Sequence, residues 1–169
     1  MYGTKTNQIT LPDAPEWTAK QCIVNLIENS AILKGKLASF THYSGDLLDD
    51  ADPDQLPKPF CRLHVKPGPS GWFAAGQHRF PVQFAWEMGV EGTDNRPLLA
   101  LWHALRMSLS PGAIAPGDGT KTVLQVMMAA GLSTWEFLDA TYEVVNPGKG
   151  QNRYIFGVGF QTGQLLINT

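Results

Sequence analysis

Charge is what this sequence is short of. Its 13 basic and 15 acidic side chains make up 17% of 169 residues, where a soluble domain averages about a quarter. The balance is near neutral, at −2, which gives no electrostatic reason to expect general binding to DNA, RNA or an anionic membrane. Cysteine is scarce too. Cys22 and Cys61 lie far apart among apolar neighbours, so no disulfide framework is implied and reduced thiols in a cytoplasmic compartment are expected. No apolar run reaches about 18 residues, the length a membrane-spanning helix needs. Met1-Tyr2-Gly3-Thr4-Lys5 has no apolar stretch after it, so no secretory signal is expected.

In place of charge stand 17 glycines, 12 prolines and a large aromatic set of 5 Trp, 4 Tyr and 8 Phe. With 43% apolar residues, the chain has the means to bury a core and does not fit the composition of a disordered one. Its length suits one domain. A surface this poor in charge must be covered by something else, such as another copy of the chain or a partner.

The apolar pattern predicts an α+β domain over 13–169 behind an N-terminal arm, 1–12. Its sheet is antiparallel or mixed, with about four to six strands, packed on two main helices. Asp13 and Glu16 have capping-box spacing and Pro15 fits a first turn. Cys22, Ile23, Val24, Leu26, Ile27 and Ala31 then form a helical stripe fading near Leu33 to Gly35. Leu37–Tyr43 and Phe60–Val65 read as strands, the second with Cys61, Leu63 and Val65 on one face. Phe80, Val82, Phe84, Trp86, Met88 and Val90 alternate without a break, the signature of a half-buried strand. Pro81 inside it implies an edge position or an interrupted ladder. Asp94 or Asn95 caps a second helix, with Leu98, Leu101, Trp102, Leu105 and Leu109 as its stripe, ended by Ser110-Pro111-Gly112. Residues 122–130 suit a short helix or a strand, and a helix with Gly131 after its end is preferred. Thr134–Val145 and Asn152–Gly163 read as the arms of a hairpin, with Gly157 and Gly159 leaving a flat strip where another backbone can lie close.

No motif for catalysis stands out. Gly68-Pro69-Ser70-Gly71 has a proline before its serine and no strand-to-helix elbow. Gly117-Asp118-Gly119-Thr120-Lys121-Thr122 lacks the first glycine of a phosphate loop and carries an aspartate where phosphates need donors. A turn capped by Thr122 explains it. Cys61 and His64 are metal-ligand types, with His78 across the hairpin, yet residues three apart on a strand face opposite ways. His103 sits beside its helix stripe as a surface or boundary residue. Glu87 with Glu91, or Glu136 with Glu143, are carboxylates with nothing to mark them as acid and base. The chain is therefore read as a non-enzyme with no cofactor and no metal.

Two features remain. Asp46, Asp49, Asp50, Asp52 and Asp54 fall in one loop that also holds Pro53, Pro57 and Pro59. With those five aspartates set aside, 13 basic groups face 10 acidic ones, so the acidity is local. It reads as a solvated loop or as an acidic strip facing something that must not stick. The spacing lacks the glycine and terminal glutamate of a calcium loop. The second feature is the glycine- and proline-rich tip 67–77 bearing Trp72 and Phe73. Two adjacent large aromatics in a long loop are a candidate docking element.

The stretch PFCRLHVKPG (59–68), followed by HRFPVQFAWEMGVEGTDNRPLLALWHALRMSLSPG (78–112), sets a strand, an extended loop, an alternating strand and a helix in order. With a leading helix and a terminal hairpin, this layout resembles the tail terminator (tail completion, neck) proteins of long-tailed bacteriophages over most of residues 14–165. The resemblance lies in element order and patterning, without an invariant motif. The 111–121 loop and the aspartate-rich segment depart from the minimal pattern. The resemblance implies a structural virion protein, assembled in the host cytoplasm, that forms a ring, usually of six copies, on the last tube ring. Such a ring ends tube polymerisation and meets the head-tail connector or stopper protein. Its partners would be itself, the tail tube protein and that connector, while genome DNA passes through unbound and no membrane is involved. Trp72, Phe73, Gly157 and Gly159 are then the candidate interface residues, and the five aspartates the candidate channel lining. Other phage neck, head-completion or decoration proteins share the layout. A small ligand-binding or hydrolytic domain is the remaining alternative.

Overall fold

The computed structural model describes residues 15–42, 55–67, 71–74, 77–92, 94–132, 135–137, 143–145 and 152–168. Helix α1 (Pro15–Glu28) buries Ala19, Cys22, Ile23, Val24, Leu26 and Ile27, the expected stripe extended by Ala19. It stops sooner than its periodicity suggests. Ser30 turns its hydroxyl back to accept the Leu33 amide at 3.3 Å, a local bond that competes with helix continuation. The chain then runs as turns to Gly35, whose φ of 83° is a left-handed conformation. Ala31 is consequently exposed.

The strands are β1 (Ser39–His42), β2 (Phe60–Pro67), β3 (Gly71–Ala74), β4 (Gln77–Glu91), β5 (Trp135–Phe137), β6 (Glu143–Val145) and β7 (Asn152–Asn168). They form one sheet ordered β1-β2-β4-β7-β5, with β3 also on β4 and β6 also on β7. The sheet is mixed, since β1 and β2 are parallel and every other pairing is antiparallel. The α+β class holds. Among the described residues there are seven strands and three helices, beside the four to six strands and two main helices expected; β3, β5 and β6 are short segments paired onto the long strands, with too few residues to show a period.

Pro81 lies on the central strand and not on an edge. Phe80 pairs with Leu165 and Val82 with Thr162, so the ladder slips by one residue at the proline, which has no N–H to offer. The 67–77 segment is a second correction. It contains a strand, β3, whose Ala74 faces Gln77 across a two-residue connection, the shortest common hairpin spacing. The arm expected over 134–145 is described as β5 and β6, which both pair with β7.

One face of the sheet carries the helices. Cys61 and Leu63 of β2, with Phe84, Trp86, Met88 and Val90 of β4, join α1 in a continuous apolar cluster. Helix α2 (Arg96–Ser108) adds Leu98, Leu101, Trp102, Ala104 and Leu105, and α3 (Val123–Ala129) adds Val123 and Met127. The caps differ from one another. Asn95 holds the cap position of α2 without a side-chain bond, while Asp94 accepts the Arg96 amide at 3.0 Å. That bond and the adjacent guanidinium lower the Asp94 pKa. Thr122 and Gln125 form a complete capping box on α3. At its other end Leu132 N–H donates to Met127 O and Gly131 N–H to Met128 O, with Gly131 at φ 85°. The short helix over 122–130 is the form observed.

A buried hydroxyl pair ties α1 to α2. Ser30 Oγ and Ser108 Oγ lie 2.6 Å apart, Ser108 Oγ donates to Ala104 O at 2.9 Å, and Ser30 Oγ accepts from Leu33. Ser108 has one proton and spends it on the carbonyl, so Ser30 donates to Ser108. Removing Ser108 leaves the Ser30 proton without its acceptor, and removing Ser30 takes away the bond that Ser108 accepts and the acceptor of the Leu33 amide. Ser108→Ala should therefore cost about 1–3 kcal/mol, and Ser30→Ala/Ser108→Ala less than the sum of the single changes. Urea unfolding of the three variants measures this, and additive costs would mean the hydroxyls act independently.

Candidate functional site

The face of β2 and β4 turned away from the helices is not the solvated surface that strict alternation predicts. Phe60, Arg62, Glu87 and Gly89 are all buried. Register sets this up: Arg62 stands directly opposite Glu87, and Phe60 opposite Gly89. Arg62 Nε approaches Glu87 Oε2 at 3.5 Å, and the guanidinium lies 5.5 Å from the centre of the Phe60 ring. His64, two residues along β2, brings Nε2 to 3.9 Å from the same carboxylate oxygen and is half-buried. At this length the Arg62 contact is an ion pair, not a short hydrogen bond, and the His64 contact is ionic only with a protonated imidazole. The expected half-buried strand is thus buried on both sides at its centre, and one side is polar. The Glu87 charge also acts through the sheet. Burial first, and that charge second, push the Cys61 thiol well above its ordinary range. Burial pushes Cys22 up to about 11. Both thiols are poor nucleophiles.

A second charged group lies on α1. Lys20 has only 3% of its surface exposed, its ammonium finds no hydrogen-bond partner among the described residues, and it sits 5.1 Å from the centre of the Trp17 ring. A cation over an aromatic face recovers part of the hydration it loses. Burial lowers its pKa.

The residues singled out by sequence fall in separate places. Cys61 points into the core and His64 to the opposite face, as period two requires, and among the described residues no group of three metal-ligand side chains converges. Glu91 is exposed four residues beyond Glu87, and Glu136 and Glu143 lie on different strands opposite Gln161 and Phe156. His103 is exposed on α2. The segment that faintly resembled a phosphate loop is closed on itself. Asp118 accepts from Thr120 Oγ1 at 2.8 Å and pairs with Lys121 at 3.3 Å. These bonds lower the Asp118 pKa and occupy the donors an anion would use.

Trp72 lies on β3 opposite His78, with Phe73 next to it. Gly159 pairs with Ala85 of β4, so the chain's own strand lies along one edge of the glycine strip. Gly157 falls where the ladder shifts between Trp86–Val158 and Met88–Ile155. Asp46, Asp49, Asp50, Asp52 and Asp54 lie outside the described residues. The Arg62–Glu87 pair is the feature that sequence reading missed. Its signal was two opposite charges on facing strands, and it becomes visible only once the β2–β4 register is known.

Compared with known proteins, the chain matches no family model and no curated relative.

Two substitutions probe the buried charges. Glu87→Ala strips Arg62 of its cross-strand carboxylate and should cost about 3–5 kcal/mol, while the apolar replacement Arg62→Met/Glu87→Leu should cost less than that single change. Chemical denaturation compares the two. Lys20→Met should stabilise the fold by about 1 kcal/mol, because it removes an ammonium without hydrogen bonds and keeps the packing. The pH dependence has a definite sign. Between the lowered folded pKa of Lys20 and 10.5 the unfolded chain holds more protons, so wild-type stability rises with pH there. Lys20→Met should lose that rise.

Proposed function

We propose that this chain is a structural virion protein of the tail terminator kind. Copies form a ring, six in the simplest case, that caps the last ring of a phage tail tube, ends its polymerisation and joins the tail to the head connector or stopper. The observation that carries the reading is element order. A leading helix is followed by a strand running to Pro67, a long return strand, a proline-started helix and a terminal antiparallel pairing on β7. The same order carries the resemblance to that family. The working body in this reading is two main helices on a sheet of four to six strands, with the shortest strands as additions.

The sheet suits such an assembly because its two ends are unlike. One is the short parallel strand β1, and the other is β7 with β5 and β6. A ring requires each subunit to present two different surfaces. Trp72 and Phe73 serve as docking residues and Gly157 and Gly159 mark a second contact strip. The five aspartates of 46–54 line the channel, where they repel passing DNA phosphates. The protein works in the neck of the virion after assembly in the host cytoplasm and needs no cofactor.

Native mass spectrometry and electron microscopy of the purified chain, alone and with tail tubes, test this. A closed ring that binds tube ends is expected. A chain that stays monomeric at high micromolar concentration and ignores tubes would overturn it, and a ring that binds only portal-side or capsid proteins would assign it to another neck or decoration role. Trp72→Ala/Phe73→Ala should weaken assembly at least tenfold. If assembly is unchanged in that variant, β3 is not a docking element.

A further inference from the structure

The main sheet does not end where its neighbours do. β2 stops at the Pro67–Val82 pair and β5 stops at Trp135–Thr162. Beyond that level, past the slip at Pro81, three strands continue among the described residues: β3, the first residues of β4, and the end of β7. They form a ribbon in the order β3-β4-β7, held by Gly71–Arg79, Trp72–His78 and Ala74–Gln77 on one side. Phe80–Leu165, Arg79–Leu166, His78–Ile167 and Gln77–Asn168 hold the other. Among the described residues, nothing pairs with the outer edge of β3 or with the outer edge of β7 over 165–168.

Open edges are a liability that chains blunt with lysine, proline, inward charge, bulges or short strands. Neither edge carries a charged residue or a proline, and β3 is short, with its ladder to β4 shifting between Trp72 and Ala74. β3 is Gly-Trp-Phe-Ala, and β7 has no charged residue from Tyr154 to Asn168. The ribbon's charges, including Arg79, lie on its middle strand. The two edges also match in length, since 71–74 and 165–168 each span four residues. An edge without charge or proline is a template on which another strand can pair.

We propose that copies of this chain join edge to edge through this ribbon, β3 of one copy adding as a strand beside residues 165–168 of the next. The direction of pairing follows from the ribbon itself. β3 and β7 are each antiparallel to β4, so they run the same way. Head-to-tail repetition about an axis along the strands therefore makes the new pair parallel. The contact is heterologous, one unlike edge on another, so it propagates and closes into a ring when the rotation permits. Main-chain bonds supply the adhesion and side chains at alternate positions set the register, as in other strand additions. The assignment rests on the ring reading above for closure only, because edge pairing by itself needs just a second copy.

Introduced cysteines report the contact, since Cys22 and Cys61 are buried and poor nucleophiles. Trp72→Cys or Phe73→Cys is combined in turn with Leu165→Cys, Leu166→Cys or Ile167→Cys, and each preparation is oxidised mildly. At least one combination should give a covalent ladder extending above the dimer on a denaturing gel, while every single variant stays monomeric there. A dimer from a β7 variant alone would mean that the edge pairs with its own copy about a two-fold axis, and overturns the proposal. So does the absence of any ladder in wild-type-like rings verified by native mass, a result that leaves the ring reading standing. A wild-type chain that is monomeric at high micromolar concentration removes both. The unmodified chain gives an independent measurement. Amide hydrogens in 71–74 and 165–168 should exchange at least tenfold more slowly in the assembled form than in diluted monomer. Unchanged exchange in those two segments overturns the edge assignment.

Discussion

Strand β4 is the constraint on which the rest depends. It is hydrogen-bonded along one edge by β2 and then β3, and along the other by β7 for nearly its whole length. A strand paired on both edges has no freedom to rotate, so its two faces are fixed once its register is fixed. Phe84, Trp86, Met88 and Val90 must then point at the helices, and all three helices cover that one face. The opposite residues are equally committed. Glu87 is carried out of water by the same pairing that buries Trp86, and its register partner Arg62 offsets the cost of doing so.

The face that helices cover was legible because its signal is long and local. An unbroken period of two in β4 and a period near 3.6 in α1 and α2 need no knowledge of the partner, and nearly every residue they marked is buried. Cap chemistry was legible for the same reason: Thr122 with Gln125, and Gly131 after α3, act within one turn. What escaped depends on distant pairing. The burial of Arg62 and Glu87 requires β2 to meet β4 in one register out of several. β5 and β6 are three residues each, too short to show a period. β3 looks like a loop because Pro67, Gly68 and Pro69 precede it and Gly76 follows it, and only its pairing with β4 makes it a strand.

Pro81 shows how one residue shapes the sheet at this level. Without an N–H it cannot hold a regular ladder on both edges, and β7 gains a residue opposite it. The slip falls where β2 and β5 run out. Two events thus coincide on the same level, a break in the ladder and the loss of two neighbouring strands. The ribbon beyond is therefore set off from the helix-covered body.

The shortage of charge belongs to the same arrangement. In a half-solvated antiparallel sheet the outward positions are where charged residues normally stand. Here the outward positions at the centre of β4 are Glu87 and Gly89, both buried, and β7 carries no charge after Arg153. Some of the charges near the surface are used locally, Asp94 with Arg96 and Asp118 with Lys121 closing their own turns. A strand with plain outward positions is a template for pairing, and in the proposed assembly a neighbour of the same composition would shield it on every copy at once. A low charge count is the composition expected of a surface spent on contacts between copies, because charge is depleted at the centre of such contacts.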